Sequence, residues 1–318
     1  MSSEPGEAVP RRPPPVAIID IGSNTIKLLV AALDPESRRV REYGNATRET
    51  RITSHGNGLI LTEDAMVQGV KAVKDFVEKA QSYSPQRTII VATSAVREAP
   101  NRQAFSQEIQ ESTGIPLRIL SGEEEARAIG RGVSLDPAIE GEEDFYVFDL
   151  GGGSLECIEF TDRTPAHIVS LPLGAVRLTH RFVADPSGPF SITDQENIQN
   201  EVVCRLRNSA FPFSLPASSP LVGTGGTLAV CRSILAAREE RGVHEQSPLL
   251  RVAEMKKLLM EMAPLSLERR RAIEGLPHGR ADVFPAALTV LITIASCAKA
   301  EVFIHSFYNL RYGFLESP

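Results

Sequence analysis

A short motif that occurs twice constrains the fold of this chain more than any other feature. DIGSN at residues 20–24 and DLGGGS at residues 149–154 each follow an apolar run, and their acids lie 129 positions apart. A second apolar run begins directly after each motif, which predicts a strand, a tight glycine turn and a return strand. Because the flanking runs match as well, we interpret the two segments as heads of two related halves. A cleft between such halves is a favoured position for a ligand.

Strands alternate with helices between and beyond these two hairpins. Short apolar runs predict strands at Arg87–Ala92, 117–120 and 221–222. Helices are predicted after Thr62 and after Asn101, and at 193–208, where Thr193 and Glu196 have the spacing of a capping box. The alternation predicts an α/β protein in which hairpins add antiparallel pairs to sheets with parallel crossovers.

The length favours two domains, because 318 residues exceed the usual size of one. The first fifteen residues contain five prolines and no apolar segment. We therefore predict a disordered tail at 1–15, a first domain at 16–128 and a second domain at 129–318, with the last residues packing back on the first domain.

Composition and charge exclude several classes of protein. The chain is 42% hydrophobic and 23% charged, which is typical of a globular protein. Its net charge of −6 gives no support to a nucleic-acid or anionic membrane partner. No apolar run reaches the roughly 18 residues of a membrane helix, and the most apolar stretch, 284–298, is predicted to be a buried helix. The four cysteines form no CxxC pair, so we expect a reducing, cytoplasmic setting.

The two glycine turns suit phosphate binding. Glycine lets backbone N–H groups approach a ligand closely, and successive N–H groups form concavities that bind anions. The side chains of Ser23, Asn24 and Ser154 add further donors. Two facing loops of this kind are predicted to hold the oxygens of one phosphate chain from both sides.

Acids beside the turns suit a divalent cation. Asp149 ends its strand just before the glycines, Glu156 lies seven residues further on, and Asp20 is the matching acid of the first half. Mg²⁺ is commonly held by one or two carboxylates together with phosphate oxygens. The alternative for each Asp is a structural role, since Asp side chains also cap the backbone of turns.

Three adjacent acids and one arginine complete the candidate site. Glu123, Glu124 and Glu125 begin a predicted helix, where acids stabilise the first turn but also offer a base for a water nucleophile. Spacing alone cannot choose among the three. Arg97 follows a strand and turn, so it either caps a neighbouring helix or binds a phosphate. His55, His167 and His305 form no catalytic arrangement with a serine or cysteine.

At this point the motifs identify a family. The chain resembles the exopolyphosphatase and guanosine pentaphosphate phosphohydrolase family, the Ppx/GppA phosphatases. The resemblance runs from residue 16 almost to the C-terminus, and these segments carry it: AIIDIGSNTIKLLV, TSAVREAPN, ILSGEEEARAIGRGV, VFDLGGGSLECIEF, LPLGAVRLTHRF, VGTGGTLA, GRADVFPAAL and SFYNLRYGF.

The resemblance implies a fold, an activity and a set of site residues. The implied fold is that of the actin-like ATPase superfamily, α/β with two ribonuclease H-like domains around a central cleft. The implied activity is hydrolysis of the terminal phosphoryl group of inorganic polyphosphate or of the alarmone pppGpp, with Mg²⁺ or alternatively Mn²⁺. Glu125 matches the catalytic glutamate, and Asp149 and Glu156 match acids assigned to the metal. The matching phosphate-contacting positions are Gly22, Ser23, Asn24, Arg97, Gly151, Gly152, Gly153 and Ser154.

Three departures from the family pattern accompany this expectation. The sequence stops at Pro318, so we expect a short, two-domain form without the helical C-terminal region of longer relatives, which puts long-chain processivity in doubt. Asn309 stands where the family has glycine, and asparagine tolerates a left-handed backbone. The third loop reads GTGGT where relatives often have a serine. A homodimer is the expected oligomer from the resemblance.

We favour an exopolyphosphatase and keep three alternatives: a pppGpp 5′-phosphohydrolase, a sensor that binds polyphosphate or alarmone with little turnover, and a sugar or acetate kinase of the same superfamily. The net negative charge requires that acids be kept apart from the path of a polyanionic substrate. Several arginines near the motifs are therefore predicted to line a basic path, namely Arg97, Arg127, Arg131, Arg177 and Arg181.

Overall fold

A computed structural model describes residues 13–52, 60–209 and 211–316. Most of the predicted tail and His55 lie outside these residues. Two mixed β-sheets dominate the described part of the chain, and each has helices on its faces. Within that part no helix is long and apolar enough to cross a membrane.

The first sheet contains five strands in the order β3-β2-β1-β4-β5. Their bounds are β1 Val16–Ile21, β2 Thr25–Leu33, β3 Val40–Glu49, β4 Arg87–Ala92 and β5 Leu117–Ile119. Four helices accompany them: α1 Glu63–Gln81, α2 Ser94–Arg97, α3 Arg102–Thr113 and α4 Gly122–Val133. The first three strands are antiparallel, whereas β1, β4 and β5 run parallel to one another.

The second sheet contains six strands in the order β8-β7-β6-β9-β11-β10. Their bounds are β6 Phe145–Leu150, β7 Leu155–Thr161, β8 Thr164–Leu171, β9 Leu221–Thr224, β10 Leu249–Arg251 and β11 Val302–His305. Its helices are α5 Ala175–Phe182, α6 Ile192–Asn208, α7 Gly226–Arg238, α8 Val252–Met262, α9 Leu267–Arg271, α10 Phe284–Ala298 and α11 Leu310–Gly313. Short 3₁₀ turns occur at Pro137–Ile139 and His278–Arg280.

The two sheets repeat one topology. The strands β8-β7-β6-β9-β11 match β3-β2-β1-β4-β5 in order and direction, and β10 is an addition at the edge. The hairpin registers match too, because Asp20 pairs with Lys27 and Asp149 pairs with Glu156. This arrangement confirms the predicted fold class, two ribonuclease H-like units of the actin-like ATPase superfamily.

Helices α4 and α11 pack between the two sheets. Apolar residues of both helices join the inner faces of both sheets in one core, in which Ile129 and Tyr312 are examples. The guanidinium of Arg311 also donates to the carbonyl of Leu28 in the first sheet, at 3.1 Å. The predicted boundary between 128 and 129 falls within α4, a helix of this shared core, and it stays a prediction.

Local details correct two expectations and confirm two others. The capping box of α6 consists of Ser191 and Asp194, two residues earlier than the predicted pair, because Ser191 accepts the amide of Asp194 at 3.0 Å. Asn101 makes no side-chain cap; its amide group instead holds the backbone of Leu61. Thr62 caps α1 and α10 is buried along most of its length, as predicted.

Candidate active site

The two glycine motifs form the same turn and face one cleft. Gly22 N–H donates to the carbonyl of Thr25 at 3.1 Å, and Gly151 N–H donates to that of Ser154 at 3.0 Å. The cleft between the turns encloses about 100 Å³. Polar residues from both halves line it: Asp20, Gly22, Ser23, Asn24, Lys27, Thr93, Ser94, Glu125, Asp149, Gly151, Gly152, Ser154, Glu156, Gly225, Gly226, Thr227, Arg280 and Asn309.

Close contact across the cleft explains why the second loop needs glycine. A Cβ on Gly152 would lie 2.6 Å from the Cβ of Ser23, and one on Gly153 would lie 3.1 Å from the Cβ of Ser94. Neither glycine has a positive φ. The requirement is therefore for space between two loops in contact, and not for an unusual backbone conformation.

The carbonyls of the second loop are bound by helix α5. The amides of Ala175 and Val176 donate to the carbonyls of Gly151 and Gly152 at 3.0 and 2.9 Å. No described residue accepts a hydrogen bond from the amides of Gly152 or Gly153. The loop thus keeps unpaired N–H donors, which is what an anion-binding turn requires.

Helix α7 adds a further anion-binding element. It begins directly after Gly225, whose φ of +92° is available to glycine, and no side chain caps its first turn. Gly226 and Thr227 of that turn line the cleft. Free N–H groups at the beginning of a helix attract phosphate through hydrogen bonds and the helix dipole.

The structure distinguishes the three adjacent acids of α4. Glu124 completes a capping box with Ser121, and Glu123 forms an exposed ion pair with Arg127 at 2.7 Å. Glu125 is buried, with 6% of its surface exposed, and lines the cleft. Of the three, Glu125 therefore has the position of a base, and its catalytic role stays a prediction.

Burial tunes the pKa of Glu125. Loss of hydration is the largest cause that raises this pKa, Arg97 lowers it, the charges of Asp20 and Asp149 raise it, and the net result is a pKa of about 7. The same arginine nitrogen, Nη1, donates to Glu125 Oε2 and to the carbonyl of Leu120, both at 2.8 Å. A carboxylate whose pKa lies near neutrality is suited to accept a proton from water.

The other cleft carboxylates also resist ionisation. Burial raises the pKa of Asp149 to about 6 and raises the pKa of Asp20. Burial and the charges of Glu125 and Asp149 raise the pKa of Glu156 well above its usual value. Ser170 Oγ donates to Glu156 Oε1 at 2.8 Å and so fixes that carboxylate. A cluster of carboxylates crowded in this way gains from a cation.

These carboxylates fit a hard divalent ion. Asp20 Oδ1 is buried and accepts no hydrogen bond from any described residue, so an oxygen ligand is already free of protein donors. Among the described residues no group of three or more acids, histidines or cysteines is arranged to hold a metal alone. Mg²⁺ usually takes one or two carboxylates and completes its shell with water and substrate phosphate, which agrees with both observations.

Positive charge in the cleft comes from residues that the sequence analysis did not single out. Lys27 and Arg280 line the cleft, and neither side chain donates a hydrogen bond to a described residue. Burial, followed by the charges of Arg311 and Arg280, lowers the pKa of Lys27 to about 8. The spacing offered a signal, because Lys27 follows Asp20 by seven residues as Glu156 follows Asp149.

A second pocket of about 310 Å³ continues from the cleft and shares Lys27, Gly225, Gly226, Arg280 and Asn309 with it. Arg311 also lines this pocket, and no carboxylate does. Phe307 is one of its lining residues, and the guanidinium of Arg232 lies 4.8 Å from the centre of its ring. The acids are thus confined to one end of the combined space and the cations extend along the other.

Most predicted site residues meet in the cleft, with two exceptions. Gly153 contacts Ser94 at the edge, and Arg97 binds Glu125 instead of facing the cleft. The prediction of a basic path from five arginines is wrong, since none of them lines the cleft: Arg127, Arg177 and Arg181 pair with glutamates, and Arg131 donates to a carbonyl. Asn309 has an extended backbone with φ −153°, so no left-handed turn is required there.

The fold and the site together are those of a class of protein, enzymes that act on phosphoanhydrides. The fold contributes the repeated ribonuclease H-like units with their glycine turns. The site contributes a cleft with carboxylates at one end and cations at the other. The Ppx/GppA phosphatase family model matches residues 36–317. The chain belongs to the Ppx/GppA phosphatase family and is a hydrolase.

Solved structures agree with this assignment. An exopolyphosphatase from Cytophaga hutchinsonii is 25% identical, with a TM-score of 0.84, and the alignment covers 95% of this chain and 96% of that chain. A PPX-GPPA enzyme from Aquifex aeolicus is 24% identical, with a TM-score of 0.76 and coverage of 96% and 99%. The latter similarity shows the fold alone.

Proposed function

We propose that this protein is a Mg²⁺-dependent exopolyphosphatase that releases the terminal phosphate of inorganic polyphosphate. One observation carries the proposal: a carboxylate-lined cleft between two phosphate-type turns continues into a pocket with Lys27, Arg280 and Arg311 and no carboxylate. A linear polyanion requires charge neutralisation along its length as well as at its reacting end.

The reacting end would lie between the two turns. Backbone amides of Gly152 and Gly153, the beginning of α7 and the hydroxyl groups of Ser23 and Ser94 supply donors for the terminal phosphoryl oxygens. Asp149 and Glu156 would hold Mg²⁺, with water and phosphate oxygens completing its shell. When bound, this ion supplies positive charge that offsets the charge of the phosphate oxygens.

Glu125 would orient a water molecule and take its proton as the water oxygen bonds to phosphorus. The bond from phosphorus to the bridging oxygen breaks, and the shortened chain leaves with that oxygen. Arg97 holds Glu125 through its ion pair of 2.8 Å, so its role is to position the base. Phosphoryl transfer depends mainly on such positioning and on charge stabilisation.

Hydrolysis of pppGpp is a second candidate, which the aromatic wall of the second pocket favours. Phe307 lies in a pocket adjacent to three cations, where an aromatic ring offers a surface for a nucleobase. A purely binding role is less well supported, because a sensor does not require a buried carboxylate with a pKa near 7.

A panel of phosphate-release assays tests the proposal: short and long polyphosphate, pppGpp and ATP, each with Mg²⁺, Mn²⁺ or EDTA. We expect release from polyphosphate that depends on the metal. A higher kcat/KM for pppGpp than for polyphosphate would identify pppGpp as the substrate instead. Binding without turnover would indicate a sensor. Phosphoryl transfer from ATP to an added sugar or acetate would indicate a kinase.

The Glu125→Gln variant tests the mechanism. We expect kcat to fall by about 10³-fold, the scale of a lost general base, while polyphosphate binding persists. Glu123→Gln is the matched control, because Glu123 lies on the same helix and is exposed. Near-normal turnover by Glu125→Gln would remove Glu125 from the mechanism.

A further inference from the structure

One ion pair joins the two halves of the molecule beside the site. Arg177 Nη2, on α5 of the second half, donates to Glu98 Oε2 of the first half at 2.6 Å. About a quarter of each side chain is exposed, 25% for Arg177 and 30% for Glu98. Partial burial limits the screening that makes fully exposed pairs weak.

On the second half, Arg177 is attached to the phosphate loop. Its Nε donates to the carbonyl of Gly153 at 2.8 Å, and its backbone amide donates to the carbonyl of Gly152 at 3.1 Å. One residue therefore binds two carbonyls of the loop with its backbone and side chain, and reaches across to the first half with the remaining nitrogen.

On the first half, Glu98 is attached to α2, the helix whose Arg97 binds Glu125. It follows α2 directly, and its amide donates to the carbonyl of Ser94 at 3.1 Å. The adjacent residue, Arg97, forms the ion pair with Glu125. Ser94, at the beginning of the same helix, contacts Gly153 across the cleft.

We propose that Glu98 and Arg177 are positioning residues that lock the second phosphate loop against α2 and thereby set the distance between Glu125 and the bound phosphoryl group. The inference rests on the proposed function for its effect on turnover. Neither residue needs to touch the substrate, because the pair acts through Gly153 on one side and through Arg97 on the other.

A second link shows why loss of this pair would loosen the loop without separating the halves. Arg51, after β3, donates to the carbonyl of Gly279 at 2.7 Å and to Asp282 Oδ1 at 3.1 Å. This contact joins the first half to the segment before α10. With it intact, the halves remain attached at the Arg280 end of the cleft.

The test is a double-mutant cycle of Glu98→Gln, Arg177→Met and the combined variant. For Glu98→Gln we expect kcat to fall about tenfold, equivalent to about 1.4 kcal/mol. The combined variant is expected to be no worse than Arg177→Met alone, because the two residues act as one unit. Arg238→Met and Glu261→Gln are the matched controls. Arg238 Nη2 and Glu261 Oε2 are also 2.6 Å apart, but this pair lies away from the site. They should change kcat less than twofold.

Amide hydrogen exchange separates this proposal from the proposed function, because it requires no turnover. The peptide containing residues 175–177, whose amides donate to the carbonyls of Gly151 and Gly152, should exchange faster in Glu98→Gln than in the wild type. Wild-type protection should also fall between about 0.05 and 1 M NaCl, which screens the pair, whereas Glu98→Gln should not respond. Glu98→Gln is nearly isosteric, so it decides the outcome even if Arg177→Met fails to fold.

Unchanged exchange in Glu98→Gln, or single effects that multiply in the combined variant, would overturn the proposal. If the wild type hydrolyses none of the substrates tested, faster exchange in Glu98→Gln would still support the lock while the proposed function fails. If turnover is normal and exchange is unchanged, the function stands and the lock is rejected.

Discussion

The hairpins β1–β2 and β6–β7 have the same backbone but opposite charge at one position. Each turn is closed by the same hydrogen bond, from the glycine after the strand to the residue three positions later. Opposite the acid near the end of the first strand, Asp20 or Asp149, the first hairpin carries Lys27 and the second carries Glu156. A repeated scaffold thus places a lysine on one side of the cleft and a glutamate on the other, and in the proposed function these would serve the substrate and the metal.

The loops themselves differ in a second respect. The first has one glycine followed by Ser23 and Asn24, and the second has three glycines. The side chains of the first loop and of Ser94 occupy the space above the glycines of the second. The difference teaches that the second loop is shaped by its contacts with the first half and with α5, so its sequence cannot be understood from the hairpin alone.

Changing the residue that pairs with the strand-end acid, Lys27 in the first hairpin and Glu156 in the second, should have the largest effect. We expect Glu156→Gln to lower kcat/KM by about 10² to 10³-fold and to weaken the dependence on Mg²⁺. Lys27→Met should lower kcat/KM by about 10 to 10²-fold and leave the half-saturating Mg²⁺ concentration little changed. Phosphate release measured across a Mg²⁺ titration checks both. Identical metal responses in the two variants would show that the hairpins do not divide these roles.

Substituting a glycine in each loop compares their surroundings. Gly152→Ala should lower kcat about tenfold and reduce the free energy of unfolding by about 1–3 kcal/mol, because its Cβ would lie 2.6 Å from that of Ser23. Gly22→Ala should be milder, since the nearest atom to its Cβ is the carbonyl oxygen of Thr25 at 3.2 Å. Urea denaturation and steady-state assays measure both; equal losses would contradict the spatial argument.

The pH dependence of kcat/KM should have two limbs, an acid limb from Glu125 and an alkaline limb from Lys27. Glu125 must be ionised to act as a base, so activity rises with pH through about 7, or lower when Mg²⁺ is bound. Lys27 must be charged, so activity falls as pH rises through about 8. Lys27→Arg should move the alkaline limb upward and leave the acid limb in place. An alkaline limb that stays near 8 in that variant would exclude Lys27 as its origin.

Removing one strand-end acid should stabilise the metal-free protein. The folded-state pKa of Asp149, about 6, lies above its usual value of 3.8, so its contribution to stability is present at low pH and is lost as pH rises through about 6. Relative to wild type, Asp149→Asn should therefore gain about 1–3 kcal/mol between pH 4 and pH 8 in EDTA.

Asp20→Asn is the matched variant in the first hairpin. It should gain less, because both Lys27 and Arg311 stabilise the ionised form of Asp20, whereas Lys27 alone stabilises that of Asp149 and the charge of Asp20 opposes it. Urea denaturation across this pH range measures both variants. A larger gain for Asp20→Asn would reverse the electrostatic comparison between the two hairpins.

Local patterns in the sequence predicted the hairpins, the α/β class and the two related halves, because strand, turn and cap signals depend on neighbouring residues. Glycine, serine and acid at the turns predicted a phosphate and metal site; the structure brings most of these residues to one cleft, and their ligands stay a prediction. The family motifs also singled out Glu125 among three adjacent acids, and the structure separates them by burial.

Contacts between distant residues had to come from the tertiary structure. Arg97 faces Glu125 and not the cleft, Arg280 reaches the cleft from the segment before α10, and Arg177 joins the halves through Glu98. An arginine has a long side chain whose partner is set by what folds around it, so its position in a motif does not reveal its direction. The sequence by itself therefore determined which residue types lie at the turns. Tertiary packing decided which partner each surrounding arginine faces.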